Sequence, residues 1–262
     1  MTDISKDTFL NYMEKKGVMQ REFQEKVLIK DCKLEDNIIN QLHIISEFHK
    51  RSMGYNDYIG HRLEDKRGRT VEQYKVYLKR VKREYQDIKE NSPQNDFEKL
   101  LLQYGEEYLK KAERAIKVIY ENGYLEIIKR SMNRNEICLG NTYFNNLRKI
   151  KFIETLNLEK CFYDLVELDA ANFFRKLIKK KIKLDYTALV DKFCEFEKLD
   201  SKSNVFLKAL ISYPSEFMKC CSKYIINSKY MIYDNNLDID KSKKKLKKAI
   251  VCEANISMER GC

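Results

Sequence analysis

The chain has 262 residues, of which 51 are Lys or Arg and 40 are Asp or Glu, so its formal net charge is +11. Hydrophobic residues make up 43% and aromatic residues 11% of the sequence, which excludes a chain that is disordered along its whole length. The excess of basic charge favours polyanions as partners, but it does not choose among nucleic acid, acidic protein and anionic lipid.

The cysteines and histidines do not indicate a zinc site. The eight cysteines include no Cys-x-x-Cys pair, and the chain has only three histidines. We therefore expect reduced thiols.

The first residues lack a basic stretch followed by an apolar core, and no run of about 18 apolar residues occurs. The sequence predicts no membrane span and a protein that is cytoplasmic when synthesised.

Apolar residues recur mostly at helical spacing, and only two prolines and eight glycines interrupt the chain. The sequence therefore predicts a mainly helical protein. In chain order, the predicted helices cover residues 6–30, 71–88, 97–119, 124–128, 164–181, 185–198 and 202–212, with a last helix opened by Pro214.

Between residues 136 and 154 the helical pattern gives way to short apolar runs. Ile137–Leu139 and Phe152–Ile153 lie on either side of a turn-rich centre. This arrangement predicts a small β-hairpin in which the two runs pair.

A lysine-rich segment lies near the end of the chain. Its six lysines are Lys241, Lys243, Lys244, Lys245, Lys247 and Lys248. Such a run predicts a mobile basic tail that could contact a polyanion. Deleting residues 240–262 is accordingly expected to leave the thermal midpoint nearly unchanged.

The hairpin segment resembles the catalytic loop of kinases of the aminoglycoside phosphotransferase type. That loop reads His-x-Asp-x-x-x-x-Asn, and the strand after it ends in Ile-Asp; the first Asp accepts the substrate proton, and the Asn and the later Asp hold magnesium. Aligned on Asn146, the sequence has Asn141 at the position of the base and Glu154 at the metal-binding Asp. An amide does not take up a proton near neutral pH, so Asn141 cannot serve as a general base.

Three further segments resemble the CotS family of bacterial spore coat proteins, which are kinase-like. They are residues 42–55, 168–176 and 210–219, and with residues 136–154 they follow the order of that family. The resemblance implies a mainly α fold like the C-terminal lobe of a protein kinase, with a small β-hairpin. It also implies that the N-terminal nucleotide-clamping lobe is missing or reduced.

The same resemblance predicts three parts of the chain and the roles of a few residues. Residues 1–35 would be a helical remnant of the small lobe, residues 36–235 the kinase-like lobe and residues 236–262 the basic tail.

Asp169 would brace the catalytic loop, and we expect His49 to pack or brace rather than act as a base. Asn146 and Glu154 would be vestigial ligands of a divalent ion. Because the sequence has no glycine-rich phosphate loop, we expect no bound cofactor.

These observations predict a non-catalytic pseudokinase of the spore coat, or one associated with the spore, that acts through surface contacts with other coat proteins. Two alternatives stay open. The first is a basic helical nucleic-acid-binding protein, although most tyrosines fall in apolar stripes and so resemble core rather than base-stacking residues. The second is a residual small-molecule phosphotransferase, which would need another carboxylate in place of Asn141.

Overall fold

Ten α-helices and six short β-strands form the part of the chain that the computed structural model describes, namely residues 9–23, 34–56, 63–230 and 239–254. The helices are α1 (Phe9–Lys15), α2 (Leu34–Ser52), α3 (Arg69–Asn91), α4 (Asp96–Glu121), α5 (Tyr124–Arg134), α6 (Val166–Lys179), α7 (Tyr186–Glu197), α8 (Ser201–Ser212), α9 (Ser215–Tyr230) and α10 (Ile239–Glu253). The strands are β1 (Val18–Gln20), β2 (Glu64–Asp65), β3 (Ile137–Cys138), β4 (Leu147–Lys149), β5 (Ile153–Thr155) and β6 (Phe162–Tyr163). The prediction of a mainly helical protein is confirmed.

The N-terminal helix is shorter than predicted. Residues 6–30 were expected to be helical, but α1 ends at Lys15 and residues 18–20 form β1. Gly17 separates the two elements with a φ of 73°, a conformation that other residues rarely adopt. Residues 24–30 lie outside the described residues.

The strands form two three-stranded sheets. In the first sheet β5 is central, parallel to β1 and antiparallel to β4. In the second sheet β6 is central, parallel to β2 and antiparallel to β3. The predicted pairing of residues 137–139 with residues 152–153 is therefore wrong. The hairpin exists, but it is formed by β4 and β5, and β3 pairs with a strand that the sequence pattern did not predict.

The chain divides into two compact units. Unit 1 comprises residues 1–68, 122–176 and 183–208, and unit 2 comprises residues 69–121, 177–182 and 209–262. The three parts predicted from the family resemblance, with boundaries after residues 35 and 235, stay a prediction. None of the described helices combines the length and the apolar character that crossing a bilayer requires.

Helix α2 provides much of the core of unit 1. Ile38, Leu42, Ile45 and Phe48 are spaced three and four residues apart, so they share one face of the helix, and all four are fully buried. This face packs against α7 and the sheets. Burying one such side chain stabilises a fold by about 1.5–3 kcal/mol, so α2 is firmly fixed.

Unit 2 is built from α3, α4, α9 and α10. Three stacked aromatic pairs tie α3 and α4 to the C-terminal region, with ring centroids 3.8–4.1 Å apart. The pairs are Tyr74 with Tyr213, Phe97 with Tyr224 and Tyr108 with Phe217. Helices α3 and α4 approach closely at Gly105, where a Cβ atom would lie 2.7 Å from the ring of Tyr85.

The lysine-rich segment is helical and packed, not a mobile tail as the sequence predicted. It forms α10, which lies against α9 and α4, and Leu246 is fully buried. The carboxylate of Glu253 accepts hydrogen bonds from the backbone N–H groups of Glu216 (2.8 Å) and Phe217 (3.1 Å) in the first turn of α9. A helix N-terminus favours an anion at this place, so Glu253 caps α9.

Candidate functional site

The loop between β3 and β4 in unit 1 is held by Asp169 of α6. The Asp169 carboxylate accepts hydrogen bonds from the backbone N–H groups of Leu139 (2.7 Å) and Gly140 (2.8 Å). The hydroxyl of Thr142 donates to the backbone carbonyl of Asp169 at 3.2 Å. Gly140 has a φ of 77°, and a Cβ atom there would lie 2.9 Å from the ring of Phe162. These contacts hold the loop against α6, and the predicted bracing role of Asp169 is confirmed.

His49 of α2 lies buried between two carboxylates. Its Nε2 is 3.1 Å from Asp169 Oδ2, and its Nδ1 is 2.6 Å from Glu197 Oε1. Burial alone would lower the pKa of His49, but the charges of Glu197 and Asp169 and their hydrogen bonds raise it to about 10. The imidazolium form donates from both nitrogens, as two carboxylate partners require. His49 therefore braces Asp169, in agreement with the prediction.

His49, Cys138 and Asp169 form a buried group whose ligand atoms lie within 4.8 Å of one another. It does not fit a metal ion. Both nitrogens of His49 donate to carboxylates, so neither lone pair is available for coordination. The Cys138 thiol donates to the Leu165 carbonyl at 3.1 Å, and burial raises its pKa well above the usual value. A metal would need the thiolate, which this environment disfavours.

The buried His49 predicts a specific dependence of stability on pH. Since the folded-state pKa of about 10 lies above the usual histidine pKa of 6.5, the stabilisation from His49 is fully present below pH 6.5. It is lost as the pH rises toward 10. We expect the free energy of unfolding of the unaltered protein to fall across this window more steeply than that of His49→Gln. His43→Gln, which changes an exposed histidine of the same helix, should follow the unaltered protein. A His49 ring that titrates below pH 6.5 in NMR spectra would contradict the assignment.

The residues aligned with the kinase catalytic loop lie at the end of this braced segment. The side-chain Nδ2 of Asn146 donates to the backbone carbonyl of Asn141 (2.6 Å) and to the hydroxyl of Thr155 (3.3 Å). Both amide protons are thereby used, and the Asn146 Oδ1 is left as the acceptor. Asn141 is half-buried, and its Oδ1 accepts a hydrogen bond from the ammonium of Lys176.

Glu154 of β5 is buried beside two arginines. Its Oε2 accepts a hydrogen bond from Arg148 of β4 at 2.8 Å, and its Oε1 accepts one from Arg21 at 3.4 Å. The Asn146 oxygen suits a magnesium ion, but each oxygen of Glu154 already has a cationic partner. As arranged, the pair does not fit the metal, which could bind Glu154 only by displacing a guanidinium group. The assignment of Asn146 and Glu154 as metal ligands stays a prediction.

A cavity of about 840 Å³ in unit 1 opens beside the loop. Its lining includes Leu139, Gly140 and Asn141 of the loop. The apolar part of the lining comes from α1, Leu63, Leu139, Cys161 and Phe162, and the polar part includes two acids and two lysines. These charged residues are Glu64, Lys66, Glu159 and Lys160. The mixture suits a small polar molecule with some apolar surface.

The sequence pattern missed the cations around this loop. Lys176 lies seven residues after Asp169, two helical turns along the same face of α6, so helical periodicity could have placed it near the loop. Arg148 lies opposite Glu154 in the register of β4 and β5. That register could not be read from the sequence, because the wrong pair of runs was assigned to the hairpin.

Comparison with solved structures shows a likeness to the aminoglycoside phosphotransferase from Alicyclobacillus acidocaldarius subsp. acidocaldarius DSM 446. The TM-score is 0.61 at 10% sequence identity, and the match covers 84% of this chain. The chain spans 62% of the length of that neighbour. No protein-family model matches the chain, and no curated protein does either. The likeness establishes a kinase-like fold of the aminoglycoside phosphotransferase type.

This finding corrects one prediction. The sequence was expected to encode a protein that is not an enzyme, but the fold that it adopts is one that the neighbour, an enzyme, uses for phosphoryl transfer. Membership of the CotS family, and a missing or reduced N-terminal lobe, stay predictions.

Proposed function

We propose that the chain is a phosphotransferase that acts on a small molecule bound in the cavity beside the loop of unit 1. The main support for the proposal is that hydrogen bonds to the Asp169 carboxylate and from the Asn146 amide hold the backbone of this loop. Phosphoryl transfer depends mostly on positioning and on stabilising charge, so a rigid loop beside a suitable cavity retains much of what catalysis needs. The kinase-like fold supports the same conclusion.

Lys176 and Asn141 would act on the reacting groups. The transition state of phosphoryl transfer carries negative charge on the oxygens of the transferred group, and an ammonium fixed by Asn141 can stabilise that charge. The Asn141 oxygen can accept a hydrogen bond from an acceptor hydroxyl and orient it. It cannot take the hydroxyl proton, so that proton passes to water. At the same time the hydroxyl oxygen forms a bond to the γ-phosphorus, and the bond between that phosphorus and the leaving nucleotide breaks. The reaction should therefore be slow.

The experiment is an assay of transfer from γ-labelled ATP, supplied as its magnesium complex, to a panel of amino alcohols, amino sugars and sugars. We expect transfer that depends on the acceptor, well below the roughly 1–100 s⁻¹ typical of kinases. Lys176→Met should lower the rate at least about 10-fold, since it removes the cation that is proposed to stabilise the developing charge. Lys183→Met, which removes an exposed lysine, is the matched control. Absence of transfer to every acceptor class would count against the proposal.

A role in the spore coat, contacts with other coat proteins and residence at the spore surface rest on the resemblance of four sequence segments alone. They do not conflict with a phosphotransferase activity, because an enzyme can also be a coat component. A tagged copy that stays diffuse throughout sporulation of the native host would remove the coat assignment and leave the enzymatic proposal intact.

A further inference from the structure

Unit 2 contains a cavity of about 600 Å³ whose lining comes mainly from α9 and α10. Six lysines contribute to it: Lys179, Lys219, Lys223, Lys241, Lys245 and Lys248. The lysines of α9 are four residues apart, and those of α10 are four and three residues apart. Helical spacing therefore gathers them on the two faces that border the cavity.

Acidic groups do not balance this charge. Among the described residues that line the cavity, the carboxylate is that of Glu216, which forms an ion pair with Lys179 at 2.8 Å. In the part of the chain that the structure describes, Lys219, Lys223, Lys245 and Lys248 have no carboxylate within ion-pair distance. Ammonium groups brought together in this way repel one another, and an anion bound among them would relieve that repulsion.

The buried part of the cavity lining, here called its floor, is mostly apolar. Tyr224, Ala249 and Cys252 are buried and contribute to its lining, together with the half-buried Cys220. The Tyr224 ring is fixed by stacking on Phe97 with centroids 3.9 Å apart, so the floor is rigid. A concave site with an apolar floor and a cationic rim differs from the convex lysine surface that binds an extended polyanion.

We propose that this cavity binds a small phosphate ester that carries an apolar group. The ammonium groups of the rim bind the phosphate, and the apolar group lies against Tyr224, Ala249 and Cys252. The site uses none of the residues of the loop in unit 1, and it is independent of the proposed phosphotransferase activity.

The test is calorimetric titration with octyl phosphate below its micelle concentration, with octyl glucoside as the neutral counterpart. We expect the phosphate to bind and the neutral compound to bind at least about 10-fold more weakly, since the ion pairs are lost. The double variant Lys223→Ala/Lys245→Ala should weaken octyl phosphate binding at least about 10-fold. The control Lys244→Ala/Lys247→Ala removes the same charge from residues outside the cavity lining and should change affinity less than about 2-fold. Circular dichroism melting checks that both variants remain folded.

Two further probes separate the possible sources of the anion. Binding to vesicles that contain phosphatidic acid, dependent on Lys223 and Lys245, would assign the ester to a lipid, and binding of octyl phosphate alone would assign it to a free metabolite. Equal weakening by the two double variants would overturn the proposal, because it would show diffuse charge rather than a site. Tighter binding of a single-stranded oligonucleotide, reduced equally by both pairs, would overturn it in favour of a polyanion surface.

Discussion

Deleting residues 239–262 is expected to destabilise the protein by more than about 4 kcal/mol, the opposite of the neutral effect that a mobile tail predicts. The deletion removes the fully buried Leu246 and the Glu253 carboxylate that caps α9. It also leaves the Tyr108 hydroxyl without the Ile250 carbonyl, to which it donates at 3.1 Å. Losing a helix cap alone costs roughly 0.5–2 kcal/mol.

The single change Leu246→Ala isolates the packing part of this effect. It should lower the free energy of unfolding by about 2–5 kcal/mol, the cost of removing a large aliphatic side chain from a core. Lys247→Ala, an exposed position of the same helix, should change it by less than about 0.5 kcal/mol. Chemical denaturation measures both values. A neutral Leu246→Ala would mean that α10 does not pack on unit 2.

Replacing Arg130 by Ala is expected to destabilise the protein by about 3–5 kcal/mol. Arg130 lies between two fully buried carboxylates, those of Glu136 and Glu167, with four N···O distances of 2.9–3.0 Å. It also donates to Ser203 Oγ at 2.6 Å. Burial raises the pKa of Glu136 although Arg130 opposes this. Without Arg130, two carboxylates would be left buried close to each other with no cation between them.

Arg134→Ala is the matched control for Arg130. Its side chain is 44% exposed and lies 3.9 Å from Glu136, so its ion pair is worth at most about 1 kcal/mol. The triple variant Arg130→Met/Glu136→Gln/Glu167→Gln should recover much of the lost stability, because it removes the unpaired charges with the arginine. Equal effects of the two arginine substitutions would contradict the account of a buried ion network.

The sequence predicted the elements that depend on local periodicity. The apolar residues of α3, from Val71 to Ile88, repeat every three to four positions, and that repeat alone defines one buried face. The predicted helix 97–119 corresponds to α4, which ends just before Gly123, whose φ of 80° cannot continue a helix. The loop segment was recognised from the spacing of Asn146 and from the position of Asp169, although Asn141 departs from the family pattern, and its role in catalysis stays a prediction.

The elements that depend on long-range contacts were not predictable in this way. β3 and β6 contribute two residues each, and strands so short carry no information about which strand they pair with. α10 was taken for a tail because its lysines dominate the composition, although Leu246, Ala249 and Cys252 recur every three residues between them. Glu154 was predicted to be a metal ligand because the sequence does not show that Arg148 binds it. The position of Arg148 opposite Glu154 depends on the β4–β5 register.

The rate of phosphoryl transfer by Asn141→Asp is the sharpest test of a phosphotransferase site at this loop. The new carboxylate can take the hydroxyl proton, and general base catalysis contributes about 10²–10⁴-fold. Lys176 would lower the pKa of that carboxylate and weaken it as a base, so we expect the lower end of the range, a rate about 100-fold above that of the unaltered protein. Asn145→Asp adds the same charge at an exposed position of the same loop and should leave the rate unchanged. A rate for Asn141→Asp no greater than that for Asn145→Asp would contradict a phosphotransferase site at this loop.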